Sequence, residues 1–260
     1  MKRSIPFLLL SFIFTHSVVA QRWSYFGIFP QYSQTGNISK RLTYNGFVSS
    51  TLNPFRPTLE KQFFPETDLQ LYLQPSLHYK LTPNAQLGIG YAYVKHHLFG
   101  LYINENRVWA QVVAGHLLGK GRLTHRLRYE ERYPLNVRTK QWSYAQMFRY
   151  HVGFTLPLYN VKTQKTGPFL SVSNEAFLCL SGAKNSPVSS KNAFYGENWA
   201  YGGVGYNFGN RLGKVELGYT FQDLIRDPAR NHRHLHLAQV TWSTNFSFEN
   251  LGVWLLTPPY

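Results

Sequence analysis

The feature that most constrains this chain is a strict alternation of side-chain character, which residues 125–133, HRLRYEERY, show in concentrated form. Successive side chains of a β-strand point to opposite faces of the sheet. One face of this segment would therefore carry a row of charges, formed by Arg126, Arg128, Glu130 and Arg132. Burying unpaired charges is costly, so these side chains must be paired with opposite charges or be in contact with water.

The same alternation recurs along most of the chain, with turn residues between the alternating segments. We predict eleven strands, at residues 22–33, 38–51, 67–80, 85–97, 104–117, 121–133, 141–156, 167–180, 195–208, 213–224 and 233–248. Short breaks at 35–37, 82–84, 118–120 and 209–211 alternate with longer ones at 52–66, 98–103, 134–140, 181–194 and 225–232. Short turns at one end and long loops at the other are typical of outer-membrane barrels.

Composition favours the same architecture. Aromatic residues make up 17% of the chain, its mean hydropathy is negative, and after residue 20 no apolar run approaches the length of about 18 residues that a membrane-spanning helix needs. Such a chain can still cross a membrane as a closed barrel whose strands alternate apolar-out and polar-in. The sequence therefore predicts an all-β fold, an antiparallel up-and-down transmembrane β-barrel of 10–12 strands.

The predicted strand number leaves a choice open. Bacterial barrels made of one chain usually have an even number of strands, whereas eleven are predicted. Either residues 22–33 lie outside the barrel wall, or the C-terminal segment ENLGVWLLTPPY, residues 249–260, supplies a twelfth strand.

The N-terminal residues and the net charge predict location and partners. Residues 1–20 have a basic start, an apolar stretch and a small-residue exit at Ala20, which is typical of a cleaved signal peptide. We expect residues 21–260 to form an outer-membrane β-barrel domain in a Gram-negative bacterium. The formal net charge is +15, which favours anionic partners. We expect outer-membrane lipid and lipopolysaccharide, with small anionic solutes as candidate cargo and no nucleic acid.

Alternation alone does not say which face of a strand points inward. In residues 213–224, a membrane barrel would direct Val215 and Leu217 to lipid and Lys214 and Glu216 to the lumen. A soluble ligand-binding barrel would have the reverse arrangement. Charges of both signs on one face and strands of twelve or more residues favour the membrane barrel.

The predicted lumen contains charges of both signs, which we expect to brace the barrel wall. The candidate residues of this network are Glu105, Arg107, Arg126, Arg128, Glu130, Arg132, Arg149, Glu175, Lys214 and Glu216. A hairpin that turns at Leu118 and Gly119 would set Glu105 opposite Arg132 and Arg107 opposite Glu130. Both would be favourable cross-strand pairs. A register shifted by two residues would place Arg107 opposite Arg132, which is unfavourable.

These residues also carry a resemblance to a known family. The matching segments are YKLTPN with GYAY (79–84, 90–93), ENRVWAQV (105–112), HRLRYEERY (125–133), FRYHVGFTLPL (148–158), LSVSNEAF (170–177), ENWAYGGVGYNF (197–208) and VELGYTFQ (215–222). In these segments the chain resembles domain of unknown function 2490, a family of Gram-negative, chiefly Bacteroidota, proteins. It departs from the family pattern at Trp199, where an Arg is usual. The resemblance implies an outer-membrane β-barrel and no particular activity.

Histidines near the C-terminus are candidate metal ligands. His232, His234 and His236 share one strand face, and alternate histidines can bind a metal. Their nearest carboxylate in the sequence is Asp227. We therefore expect no metal and no cofactor, and interpret this stretch as a basic rim near lipid headgroups or lipopolysaccharide phosphates.

An enzyme is the main rival class. Outer-membrane lipid hydrolases need a Ser beside a His that a third polar group orients. His151 or His97 could serve with Ser143 or Ser173, but no adjacent His-Ser signature occurs. We expect no catalytic residues. The expected function is a narrow channel or a structural or accessory envelope protein with a charge-braced, basic-biased lumen. The alternatives are a lipid- or lipopolysaccharide-modifying hydrolase and a soluble periplasmic ligand-binding barrel.

Overall fold

The computed structural model describes residues 21–56, 58–59, 62–63, 65–98, 101–182, 194–209, 212–227 and 231–246. The predicted signal peptide at residues 1–20 and the candidate twelfth strand at residues 249–260 lie outside the described residues. Within the described ranges, no helix has the length and apolar character needed to span a membrane.

The described residues form thirteen strands, of which eleven build one closed barrel. The strands are β1 (Gln21–Asn37), β2 (Leu42–Leu52), β3 (Thr58–Leu59), β4 (Gln62–Phe63), β5 (Asp68–Thr82), β6 (Ala85–Leu98), β7 (Leu101–Leu118), β8 (Gly121–Asn136), β9 (Ala145–Pro157), β10 (Gly167–Ser181), β11 (Tyr195–Gly209), β12 (Gly213–Asp227) and β13 (Asn231–Asn245). Strands β3 and β4 form a separate two-stranded sheet. The predicted β-barrel fold of 10–12 strands is confirmed.

The barrel closes through a parallel pair. Neighbouring strands around the wall are antiparallel, except that β1 pairs in parallel with β13, from Gln21 opposite Asn231 to Thr35 opposite Asn245. A meander reverses direction at each step, so the first and last of eleven strands run the same way and can only close the wall in parallel. The first proposed route to an even count is therefore wrong, since residues 22–33 lie in the wall. The second, a twelfth strand at residues 249–260, falls outside the described residues. We call this pair the β1–β13 seam.

The two ends of the barrel differ in their connections. One end, here the short-turn end, has the connections 38–41, 83–84, 119–120, 158–166 and 210–212. The other, here the loop end, has the connections 53–67, 99–100, 137–144, 182–194 and 228–230. The predicted asymmetry is only partial, because 158–166 is long for the short-turn end and 99–100 is short for the loop end.

The β7–β8 hairpin turns one residue later than predicted. Leu118 pairs with Gly121, so the turn consists of Gly119 and Lys120. Gly119 has a φ of 62°, a left-handed conformation that glycine adopts without a steric cost. The predicted turn at Leu118 and Gly119 is therefore wrong, and every cross-strand partner shifts by two residues.

This shift sets two arginines opposite each other. Arg107 lies opposite Arg132, and Trp109 lies opposite Glu130. The predicted directly opposed pairs of Glu105 with Arg132 and Arg107 with Glu130 are wrong. The unfavourable opposition is accommodated because a glutamate two residues away on the same face contacts both arginines, as described below.

The outside of the closed wall is apolar at mid-height, and the inside holds buried charges beside apolar clusters. At the middle of the wall the outward side chains are aliphatic, and Val172, Val204 and Leu217 are 54%, 58% and 56% exposed. The inward positions carry charges, and Glu130 and Arg132 are both 0% exposed. Alternation along each strand produces this division, because inward and outward positions follow each other at a period of two residues.

Candidate functional site in the barrel lumen

The structure brings most of the predicted lumen charges into one group of contacts on the inner face of β7, β8, β9 and β10. We call this group the lumen network, and its predicted members are Glu105, Arg107, Arg126, Arg128, Glu130, Arg132, Arg149 and Glu175. Lys214 and Glu216 on β12 stand apart from it. The Lys214 ammonium lies 5.8 Å from the Phe169 ring centre, and Glu216 accepts a hydrogen bond of 2.7 Å from the Ser171 hydroxyl.

Glu130 lies at the centre of the lumen network. Its Oε2 accepts hydrogen bonds from Nε and Nη2 of Arg132, at 3.0 and 2.9 Å. Its Oε1 accepts one from Nη1 of Arg149 at 2.7 Å and a longer one from Nη1 of Arg128 at 3.5 Å. Nη1 of Arg107 is 3.8 Å from Oε2. One buried carboxylate thus contacts four guanidinium groups.

Glu105 provides the second carboxylate between the opposed arginines. Its Oε2 accepts a hydrogen bond of 2.8 Å from Nη2 of Arg107, and its Oε1 is 3.8 Å from Nε of Arg132. Nε2 of His96 lies 2.9 Å from Oε2. Arg107 and Arg132 therefore share both Glu105 and Glu130, and this offsets their mutual repulsion.

Glu175 extends the lumen network toward the open part of the lumen. Its Oε1 accepts hydrogen bonds from Nε of Arg149 at 2.8 Å and from Nη2 of Arg126 at 2.7 Å. The Arg126 side chain is 25% exposed, whereas that of Arg149 is 8% exposed. Arg126 is thus the member of this group that water and solutes can reach most readily.

Neutral side chains hold Arg128. Its Nε and Nη2 donate to Oε1 of Gln111, at 2.9 and 2.7 Å, and its Nη1 donates to Oε1 of Gln74 at 2.8 Å. The guanidinium carbon lies 4.0 Å from the Trp109 ring centre, a cation–π distance. Arg128 is therefore fixed by an aromatic face and two amides as well as by Glu130.

Sequence reasoning missed several members of the site. His96 is buried and contacts Glu105, and Gln74 and Gln111 accept hydrogen bonds from Arg128, although the sequence predicted none of these three as site residues. Glu197 was also missed, although it is 2% exposed and lines the same cavity. Alternation on β5, β6, β7 and β11 carried the signal for all four, since each lies at an inward position. Their partners depend on the strand register, which alternation does not give.

Apolar packing fills the loop-end half of the lumen beside these charges. Trp199 packs against two buried clusters, with its ring centre 6.2 Å from that of Phe29 and 5.0 Å from that of Phe177. Its Nε1 donates to Oε2 of Glu197 at 3.0 Å. Trp199 thus joins the two apolar clusters to the buried carboxylate of Glu197.

The remaining lumen is a cavity of about 680 Å³. Toward the short-turn end its lining is small and polar, and it is partly buried at Thr155 and Thr241 and exposed at Thr35. Toward the loop end the lining is almost fully buried, as at Arg132 and Glu197. The cavity is thus more accessible from the short-turn end.

The candidate hydrolase residues do not meet on the outer wall. His151 lies opposite Glu175 and lines the cavity together with Ser173. His97 instead packs its ring 5.1 Å from that of Tyr102, and Ser143 donates to the carbonyl oxygen of Pro134 at 3.3 Å. His151 and Ser173 therefore both face the lumen.

The C-terminal histidines acquire a carboxylate neighbour that the sequence did not reveal. The β12–β13 register places Asp223 opposite His234, and Asp223 also contacts His232, with 2.9 Å between Oδ1 and Nδ1. Asp223 is farther away in the sequence than Asp227, so only the hairpin register brings it to the histidines.

Comparison with known proteins identifies a family and no characterised relative. A family described as "Protein of unknown function (DUF2490)" matches residues 26–233. No curated protein and no solved structure matches the chain.

Proposed function

This chain belongs to the DUF2490 family, whose function is unknown, and from its geometry we propose that it is an outer-membrane β-barrel of a Gram-negative bacterium with a structural or accessory role in the envelope. The observation that carries the proposal is the apolar outer wall around a charged interior. A soluble barrel needs the opposite distribution, whereas a barrel in lipid needs this one.

The lengths of the strands and the positions of aromatic side chains support the membrane location. The wall strands run from 11 residues in β2 to 18 in β7, and about 9–11 tilted residues are enough to cross a bilayer. Exposed aromatic side chains lie near both ends, with Trp142 and Tyr144 at the loop end and Tyr206 and Trp242 at the short-turn end. Rings at these levels favour the two membrane–water interfaces.

The filled loop-end half of the lumen supports a structural or accessory role. Ion pairs and apolar packing occupy it, and the cavity of about 680 Å³ is more accessible from the short-turn end. We also propose that the protein is not a catalyst. The lumen position of His151 and Ser173 supports this, because a lipid hydrolase needs its nucleophile where lipid can reach it.

A narrow channel for small anions is the second candidate. Arg126 and Arg128 both line the cavity, and Arg126 is 25% exposed. A guanidinium at this position would favour an anion over a cation. Under this candidate the loop-end packing would have to leave a path for ions.

Two separate valine-to-arginine variants, one in the wall and one in a connection, test the membrane location. Val172 in the middle of β10 is 54% exposed, and Val161 in the 158–166 connection is 57% exposed. We expect Val172→Arg to lower the free energy of unfolding in liposomes by about 2–4 kcal/mol, because a charge near the bilayer midplane is costly. A urea titration measures this change in the free energy of unfolding, with the folded fraction at each urea concentration read from the gel mobility of unheated samples.

Val161→Arg is the control and should change the free energy of unfolding by less than about 0.5 kcal/mol, as surface substitutions usually do. Equal, small effects of the two substitutions would contradict the membrane location, since both valines would then face water.

A further inference from the structure

A compact group of two histidines and one aspartate lies on the outer wall near the loop end. Asp223 of β12 lies opposite His234 of β13, and His232 lies two residues before His234 on the same face. Nδ1 of His232 is 2.9 Å from Oδ1 and 3.2 Å from Oδ2 of Asp223. Nε2 of His234 is 3.5 Å from Oδ1. One ligand atom from each residue lies within 4.8 Å of the other two.

These distances fit ligands of one metal ion. Ligand atoms about 2.0–2.1 Å from a tetrahedral zinc ion lie roughly 3.3–3.4 Å from one another. The separations of the two imidazoles from Oδ1 of Asp223, 2.9 and 3.5 Å, lie on either side of that value. Two imidazoles and a carboxylate form a donor set that suits Zn²⁺ and other divalent transition metals. Ca²⁺ and Mg²⁺ prefer sites with oxygen ligands alone, so nitrogen donors disfavour them.

Neighbouring rings hold the imidazoles in place. The His234 ring centre lies 5.1 Å from that of Phe221 and 6.2 Å from that of His232. The side chains of His232, His234 and Asp223 are 28%, 17% and 22% exposed. A metal ion in water can therefore reach the group, and its ligands need little rearrangement to bind.

We propose that Asp223, His232 and His234 bind one divalent transition-metal ion, with Zn²⁺ preferred, and leave a fourth position for water. The ion joins β12 to β13, the strand that closes the barrel at the β1–β13 seam. A ligand that binds only the folded state stabilises it, so the ion stabilises the β12–β13 hairpin at the loop end. This assignment does not depend on the membrane location.

Metal titration of the refolded full chain without a histidine tag tests the assignment. After treatment with a chelator, we expect calorimetry to show binding of one Zn²⁺ per chain and Co²⁺ to develop visible absorption. Asp223→Asn, His232→Asn and His234→Asn should each weaken binding by at least about 100-fold, the upper range for loss of a partner that supports a metal site.

Two further variants separate a metal site from an ion pair and from nonspecific binding. Asp223→His keeps three ligands, because His₃ sites bind zinc, and it should retain binding although the His–Asp pair is gone. His116 and His125 form another histidine pair on the outer wall, with ring centres 6.0 Å apart, and His116→Asn with His125→Asn should leave binding unchanged.

Two results would overturn the assignment. The first is no Zn²⁺ binding by refolded protein whose gel mobility shows an intact barrel. The second is binding that survives Asp223→Asn and is lost on substitution of His116 and His125.

Discussion

At the residue scale, Glu130 shows how the lumen accommodates a surplus of arginines. Arg107 and Arg132 lie directly opposite each other, a contact that would destabilise the hairpin if it stood alone. Both contact Glu130, and Glu130 also forms ion pairs with Arg128 and Arg149. Removing one member of a buried ionic group leaves an uncompensated charge, so the stability of the barrel should depend strongly on this carboxylate.

We expect Glu130→Gln to lower the free energy of unfolding by about 3–5 kcal/mol, the cost of breaking a buried ion pair from one side. The amide keeps the size of the side chain and removes only its charge, so packing is conserved. Urea unfolding in detergent micelles, followed by tryptophan fluorescence, measures the change.

The neighbouring Glu131 provides a control on the same strand. It points outward, and its oxygens accept hydrogen bonds from the hydroxyls of Tyr129 and Tyr133. Glu131→Gln should cost less than about 1.5 kcal/mol, the usual value of one hydrogen bond. Equal losses of unfolding free energy for the two substitutions would contradict the prediction that the ion pairs of Glu130 stabilise the barrel.

The identity of the lumen charges could be predicted from the sequence, and their contacts could not. Alternation alone directs Glu105, Arg107 and Glu130 to one face, and the structure has them there. The contact of Asp223 with His234 follows from the register of the β12–β13 hairpin. The predicted break at residues 225–232 marks a connection there but does not fix that register. Side-chain direction is a local property of a strand, whereas pairing depends on the turn.

At the element scale, one turn residue decides the register of the β7–β8 hairpin. The sequence LGK at 118–120 offers two adjacent positions for a two-residue turn, and both satisfy the apolar-out alternation, because the partners shift by two residues and the faces are kept. Charge pairing favours the first position. The structure uses the second, where Gly119 takes the left-handed conformation.

Barrel closure is a second element-scale property that the strand pattern left open. The sequence indicates eleven strands, but an even number was expected from related architectures. Parallel pairing at the β1–β13 seam removes the conflict. Alternation describes each strand separately and has no information on how the first strand meets the last.

Paired cysteines test the β1–β13 seam. Ile28 and Ala238 lie opposite each other on the outer wall, at a distance that a disulfide can span between neighbouring strands. In a Cys179→Ala background, we expect Ile28→Cys with Ala238→Cys to form a disulfide on mild oxidation. A mobility shift of the denatured, unreduced chain on a gel reports it.

Ile28→Cys with Val240→Cys is the matched control. Val240 lies opposite Pro30, two positions along the strand, which is too far for a disulfide without backbone movement. If β1 lay outside the wall, neither pair would crosslink.

At the scale of the whole molecule, the barrel has a filled half and a half that is more accessible. The lumen network and the packing around Trp199 occupy the loop-end half, and the cavity of about 680 Å³ lies beside them. A small barrel with long side chains in its lumen leaves little open bore. The filled half should therefore limit the passage of ions.

Planar-bilayer recordings test this limit. We expect the wild-type protein to give no resolved conductance steps, and Trp199→Ala to produce them, because the substitution removes the ring that fills the space between Phe29 and Phe177. The same substitution should lower the free energy of unfolding by less than the roughly 3–5 kcal/mol that fully buried Trp→Ala changes cost, because Trp199 is partly buried.

Trp142, which is 59% exposed, provides the control, and Trp142→Ala should give no resolved conductance steps. Conductance steps from the wild-type protein would instead favour the channel. Their reversal potential in a salt gradient, before and after Arg126→Gln, would then show whether Arg126 selects anions.

The odd number of wall strands has a consequence for assembly. In an up-and-down barrel with an even number of strands, the first and last residues of the wall lie at the same end of the barrel. Here Gln21 stands at the loop end and Asn245 at the short-turn end. In a bilayer, the first and last residues of the wall would therefore lie on opposite sides of the hydrocarbon layer, and a reporter fused at each would face opposite compartments.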